Sequence, residues 1–283
     1  MKKLIFIISF LTVITIHCQQ SQLSFMTYNI RYDNPSDGEN AWSNRKDKLI
    51  EQIKFYDPDV FGIQEGLSHQ VSYMKQWMSE YEMIGVGRDD GAEKGEYASL
   101  FYNKKRFDVI TSNTFWLSLT PTVPSKDWDA ALPRICTYAK LMEKATGLTF
   151  WVFNAHFDHK GVESRKKSIN LIEEKIKEEN KDNLPVIFMG DLNVLPESEV
   201  IGKLNKFLID SYDASKKAPF GPVGTFNGFH FDMPVTKRID YIFVSRMGLI
   251  EVQKYAVLTD GVDLKYRSDH LPVYVELEMY QKK

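Results

Sequence analysis

Residues 185–193 read Pro185-Val186-Ile187-Phe188-Met189-Gly190-Asp191-Leu192-Asn193. Four large apolar residues between a proline and a glycine make a run too short for a helix and suited to a strand covered on both faces. The run then stops on a carboxylate and an amide, groups that a chain does not bury without polar company. The local pattern is a covered strand that delivers an aspartate to the rim of a sheet.

Working outward, the pattern recurs. The alternating stretch 23–32 ends on Asn29-Ile30-Arg31, the short apolar run 59–64 ends on Gln64-Glu65, and 149–157 carries Asn154, His156, Asp158 and His159 at its end. Residues 239–244 follow Arg238 and include Asp240, and Ser268-Asp269-His270 precedes a last strand over 273–279. Further strands are read at 83–87, 97–103, 107–117, 136–143 and 251–258, and helices at 42–56, 68–79, 162–179 and 197–205. Strands outnumber helices and come in runs rather than in strict alternation, which predicts an α+β fold with sheet packed on sheet and helices outside.

The 283 residues show no internal repeat, and the 43% hydrophobic and 26% charged content is ordinary for a globular chain. One domain over residues 23–283 is the simplest organisation. Residues 1–22 read as an export leader: Lys2 and Lys3 precede an apolar run, 4–16, too short to span a bilayer. Cys18 stands where a lipoprotein carries its lipidated cysteine, although His17 replaces the expected small residue, so lipidation and plain secretion both stay open. The predicted location is periplasmic or extracellular, or membrane-anchored through Cys18. Cys136 then has no partner, and no disulfide framework is expected. The net charge of −2 argues against non-specific duplex binding, which needs a basic footprint.

A strand-end Asp or Asn alone is usually a turn former. Six polar clusters, each joined to an apolar strand, are a different matter. Asn29, Glu65 and Asp269 offer hard oxygen ligands that suit Mg²⁺ or Mn²⁺ better than zinc. Two histidines and two more aspartates supply what phosphoryl transfer to water needs: a group to orient or deprotonate water, and others to stabilise charge on phosphate oxygens.

Taken in order, these motifs resemble the endonuclease/exonuclease/phosphatase superfamily, which includes deoxyribonucleases, abasic-site endonucleases, sphingomyelinases, inositol polyphosphate 5-phosphatases and deadenylase/nocturnin enzymes. The resemblance implies a four-layer α/β/β/α sandwich of two mixed sheets. It also implies roles: Asn29 and Glu65 as a metal-site pair, Asp269 as a metal-linked carboxylate, and His156 on the scissile phosphate with Glu96 orienting it. Asp191 would position the attacking water, Asn193 would hold a phosphate oxygen, and Asp240 and His270 would pair. Whether His270 or Asp191 takes the water's proton stays open. Gly190-Asp191-Leu192-Asn193-Val194-Leu195 and Lys237-Arg238-Ile239-Asp240 depart from the 5-phosphatase boxes. Thr225-Phe226-Asn227 followed by Arg238-Ile239-Asp240-Tyr241 looks nearer the deadenylase/nocturnin branch. The expected activity is therefore a metal-dependent, nuclease-like phosphodiesterase acting as a monomer on a phosphoester substrate. A phosphomonoesterase or sphingomyelinase-like enzyme is the alternative, and a catalytically silent surface binder the alternative of another class.

Smaller expectations attach to single residues. Arg134, just before a strand, is a candidate phosphate clamp or a surface ion pair. Arg45 is expected to pair with a nearby acid, Lys166-Lys167 to face solvent, and Trp116 to join the core. The loop 118–133, stiffened by Pro121, Pro124 and Pro133, is expected to border the cleft. Trp128 between Asp127 and Asp129 is a candidate stacking surface there.

Overall fold

A computed structural model describes residues 20–246 and 248–280. The leader and Cys18 lie outside the described residues, except for residues 20–22. Those three lie in the first strand. In chain order the elements are β1 (Gln20–Asn29), a 3₁₀ segment (Pro35–Asn40), α1 (Trp42–Tyr56), β2 (Val60–Gln64), α2 (Ser68–Trp77), β3 (Tyr81–Ile84), β4 (Leu100–Asn103) and β5 (Phe107–Trp116). Then come β6 (Ile135–Glu143), β7 (Thr149–His156), α3 (Val162–Glu179), β8 (Val186–Asp191), α4 (Glu199–Phe207), β9 (Leu208–Asp210), α5 (Ser211–Ala214), β10 (Asp240–Ser245), β11 (Ile250–Val257) and β12 (Val273–Tyr280). The three-residue β9 and four-residue α5 are too short to show a period, which is why the sequence did not reveal them.

Two six-stranded sheets form, in the orders β11-β12-β1-β2-β4-β3 and β5-β6-β7-β8-β10-β9. Each is mixed, with one parallel pair at its centre: β1 with β2, and β7 with β8. Parallel neighbours need a crossover, supplied here by α1 and α3. Strand alternation then sorts the apolar side chains into three layers. Phe25, Val60, Val152, Ile187 and Ile242 meet between the sheets. Met26, Tyr28, Phe61 and Ile63 turn outward under Leu49, Ile53 and Met74 of α1 and α2. Phe153, Phe188, Tyr241 and Phe243 turn outward under Ile169, Ile172 and Leu204 of α3 and α4. The result is the four-layer α/β/β/α sandwich expected from the sequence.

α1 stops where Asp57 adopts the left-handed conformation (φ 43°) ahead of Pro58, which cannot continue a helix. At the edge of the sandwich remote from the strand ends, Glu143 ties the sheets together. It accepts from Ser21 Oγ (2.8 Å), Arg106 Nε (2.8 Å) and Thr146 Oγ1 (2.6 Å), while Arg106 also reaches Asp59 (2.6 Å).

Candidate active site

The C-terminal ends of both parallel pairs point to the same rim. They deliver Asn29 and Glu65 from one sheet and His156 and Asp191 from the other. Register does the rest: Asn29 lies beside Gln64, and Asp191 lies between His156 on β7 and Asp240 on β10. Two strand exits share one device. Asn29 Oδ1 accepts from the Arg31 amide and Asp191 Oδ1 from the Asn193 amide, each at 3.0 Å, so each side chain closes a tight turn two residues on. Arg31, Glu65 and Asn193 all carry positive φ (57°, 65° and 49°), local strain concentrated at the rim. Gly190 reaches the same place by another route. At φ 143° it presses against β7 so closely that a Cβ would sit 1.9 Å from Ala155 O.

The rim opens on a cleft of about 760 Å³ whose lining includes Glu65, Glu96, His156, Asp191, Asn193, Asp269 and His270. Two of its histidines, His270 and His156, are held in opposite states. His270 Nδ1 lies 2.8 Å from Asp240 Oδ2, and Thr225 Oγ1 donates to that same oxygen at 2.6 Å. Burial works against charge on His270, but Asp240, Asp191 and Asp269 outweigh it and hold the imidazole protonated well above its ordinary range. His156 faces cations instead. Burial, then Arg134 and Arg88, push its pKa well below the ordinary value. Arg134 Nη1 lies 3.0 Å from His156 Nδ1; since arginine can only donate, Nδ1 accepts and the ring proton sits on Nε2, which faces Asp191 Oδ2 at 3.5 Å.

Here the structure corrects the sequence reading. Glu96 does not orient His156: it lies 3.8 Å from Nδ1, and both its oxygens are taken by Arg88 at 2.7 Å. Arg134 does that work, and it also reaches Asp158 (3.3 Å) and His159 (3.0 Å) while lining the cleft. Among the described residues Arg45 pairs with no acid. It donates to the backbone carbonyls of Asn40, Arg31 and Arg267, tying α1 to the first strand exit and to the loop before β12. Trp128 is absent from the cleft lining, to which the loop 118–133 contributes Leu132. Its acidic neighbours are structural: Asp129 caps α3 through the Glu163 and Ser164 amides, and Asp127 accepts from Leu119 N. Trp116 is buried, its Nε1 donating to Arg88 O.

The acidic groups fit a hard cation, though not in the grouping read from sequence. Ligand atoms of Glu65, His156 and Asp191 lie within 4.8 Å of one another. Asn29 turns its amide nitrogen, not its oxygen, to Glu65 and Asp191, both at 3.0 Å. Two facing anions impose that orientation; a cation between them would favour the oxygen. Asp269 reaches Glu65 only through Arg31, whose guanidinium stands 3.7 Å from Asp269 and 3.9 Å from Glu65. Burial, then Asp240, push Asp191 up to about 7, and burial raises Asp269 as well. A cluster of carboxylates held back from ionising is what a divalent cation relieves.

Three residues in or behind the cleft went unread in the sequence. Arg88 sits in a Gly- and Asp-rich loop with no periodic signal. Lys237 lines the cleft and makes no side-chain ion pair among the described residues. The Phe226 ring stands edge-on to His270, with centroids 5.1 Å apart. Thr225-Phe226-Asn227 marked that segment without revealing this contact.

The family model described as the endonuclease/exonuclease/phosphatase family matches residues 26–270. The chain belongs to the endonuclease/exonuclease/phosphatase family. Its members are phosphoester hydrolases. The family fold is shared with a Bacteroides thetaiotaomicron family member, 39% identical over 93% of this chain and 96% of that one, with a TM-score of 0.88. A mannosyl-6-phosphatase from the same organism is 41% identical over 90% of this chain and 99% of its own, with a TM-score of 0.85. An uncharacterized protein of Acanthamoeba polyphaga mimivirus is 31% identical over 54% of this chain. The match spans 59% of that curated relative's length.

Proposed function

We propose that the protein is a Mg²⁺- or Mn²⁺-dependent phosphomonoesterase acting on sugar phosphates. The observation that carries this reading is the kinship with the mannosyl-6-phosphatase, which runs nearly the length of both chains. It moves the preference away from the nuclease-like diesterase that the Thr225 and Arg238 segments suggested. The cleft supports it, since a charged floor is bordered by Tyr32, Leu132, Leu195 and Phe226, a small mixed wall rather than a basic track for a polymer. With an export leader over residues 1–22, the enzyme would meet extracellular sugar phosphates.

Glu65 and Asp191, with His156 beside them, would hold the ion, which polarises a phosphate oxygen and acidifies water. The residues divide the remaining work. An imidazole held protonated by Asp240 does not take the water's proton, so His270 stabilises phosphate charge, and the Asp191 carboxylate, ionised beside the ion, orients the water and accepts its proton. His156 donates from Nε2 to a phosphate oxygen, and Asn193, 3.3 Å from that nitrogen, flanks the same position.

The test is a substrate panel with Mg²⁺: mannose 6-phosphate, glucose 6-phosphate, an oligoribonucleotide, sphingomyelin and an aryl phosphodiester. A hexose phosphate should lead in kcat/KM by at least about 10²-fold, as expected when a site's polar groups match one substrate and not another. A leading oligonucleotide would restore the diesterase reading, and binding without turnover of any ester would leave a silent binder.

A further inference from the structure

Between the sheets, directly beneath the cleft, lies a buried polar cluster. Gln64, the last residue of β2, donates from Nε2 to Asn154 Oδ1 on β7 at 2.7 Å and to Thr27 Oγ1 on β1 at 3.0 Å. Asn154 answers from Nδ2, donating to the carbonyls of Ile63 and Ser99, both at 2.9 Å. All four polar side chains, those of Thr27, Gln64, Ser99 and Asn154, are completely buried. The cluster therefore crosses from one sheet to the other through the interior.

The place is built for it. The β2–β4 ladder ends at the Gly62–Leu100 pair, and the next carbonyl on β2, that of Ile63, accepts from the other sheet. Gly62 provides the room, because a Cβ there would stand 2.6 Å from Asn154 Cγ. The arrangement does not maximise stability. Gln64 Oε1 and Ser99 Oγ are buried without a partner, which costs free energy that an apolar pair of the same shape would not incur.

What the cluster does follows from its neighbours. Gln64 immediately precedes Glu65, and Asn154 stands two residues before His156 on the same face of β7. Glu65 comes from one sheet, and His156 and Asp191 from the other. Apolar contacts press the sheets together but are non-directional, so the offset of one sheet against the other rests on directional links: Glu143 at the far edge, Asn29 to Asp191 at the rim, and this cluster between them. A metal site needs its ligands placed to within about 0.5 Å. We propose that Gln64 and Asn154 form a positioning clasp that fixes this offset and so sets the distance of Glu65 from His156 and Asp191. This goes beyond the substrate reading and holds for whichever ester is hydrolysed.

The experiment compares wild type with Gln64→Met and Asn154→Leu, which keep side-chain volume and remove the hydrogen bonds. Mn²⁺ is titrated calorimetrically into metal-stripped protein. Thermal melts are recorded alongside, with steady-state kinetics on p-nitrophenyl phosphate or its bis-aryl diester, whichever wild type hydrolyses faster. Gln64→Met should melt within about 5 °C of wild type, yet bind Mn²⁺ about 10- to 100-fold more weakly, the usual loss when a ligand's support is removed. Its kcat should fall at least about 10-fold while KM stays within about twofold, the signature of misplacement rather than lost binding. Asn154→Leu also strips the Ile63 carbonyl of its donor; if it does not fold, Gln64→Met decides. A folded Gln64→Met with wild-type Mn²⁺ affinity and kcat overturns the proposal, as does a loss of activity that tracks only the unfolded fraction. If wild type ignores sugar phosphates, the substrate reading fails while the Mn²⁺ comparison stands.

Discussion

Asp240 Oδ2 stands 2.8 Å from His270 Nδ1, whereas His156 has an arginine in the corresponding place. One ring is thereby kept cationic and the other neutral. Asp240→Asn should lower kcat by at least about 10²-fold, the range for losing an acid–base or charge-stabilising group. Because Asp240 raises the His270 pKa, the alkaline limb of the pH–rate profile should also move to lower pH. An unchanged alkaline limb would show that the pair does not set the charge.

Asp191 works against the fold that carries it. Its pKa rises from about 3.9 in an unfolded chain to about 7 in the folded protein. The folded state then binds more protons than the unfolded state between those values. Stability therefore falls as pH rises across that window, and the carboxylate is a full burden above it. In metal-free protein, Asp191→Asn should raise the melting temperature at pH 8 by at least about 2 °C and abolish turnover. At pH 4 the two melts should nearly coincide. A lower melting temperature for the variant at pH 8 would contradict the assignment.

Among the described residues, Lys237 is the one cation of the cleft not already engaged, since Arg31 and Arg134 serve the neighbouring acids and imidazoles. A phosphate monoester carries one more negative charge than a diester. Lys237→Gln should therefore raise KM for a hexose phosphate about 5-fold or more, with kcat within about threefold, and affect an aryl diester less. Equal changes on both esters would remove Lys237 from substrate discrimination.

Glu143 predicts an acid-sensitive edge. Burial opposes its charge, but Thr146, Ser21 and Arg106 outweigh burial and depress its pKa. A depressed carboxylate contributes stability that is complete above its unfolded value and lost as pH falls through the folded one. Glu143→Gln should cost about 1–3 kcal/mol in urea unfolding at neutral pH, as for hydrogen bonds to a charged group, and clearly less at pH 3. A pH-independent difference would mean that shape, not charge, holds the edge.

The strands that carry the site were legible because they are covered on both faces, which writes continuous apolar runs ending in polar clusters. Asp240 with His270, and Asp191 with Asn193, could be located from those endings. What the sequence could not convey is direction. Nothing in Pro133-Arg134-Ile135 says that the guanidinium turns inward, and nothing at Asn29 says which amide atom faces the carboxylates. Trp128 misled for a related reason, since its flanking aspartates pointed to a ligand surface but serve a helix cap and a loop closure. Thr225 and Arg88 act through contacts 15 or fewer residues away in sequence but set by loops, where no period exists to read.

The Arg134 fork has a consequence for how this site varies. A single guanidinium serves Asp158, His156 and His159, so these four positions form one unit rather than four. Substitutions within the unit should combine non-additively. Once Arg134 is gone, removing His159 has little left to disturb, whereas Asp158 still holds the Leu132, Lys160 and Gly161 amides. Divergence at any of these positions is then expected to arrive in concert with the others, and a descendant sequence that keeps His156 but loses Arg134 should supply another donor to Nδ1.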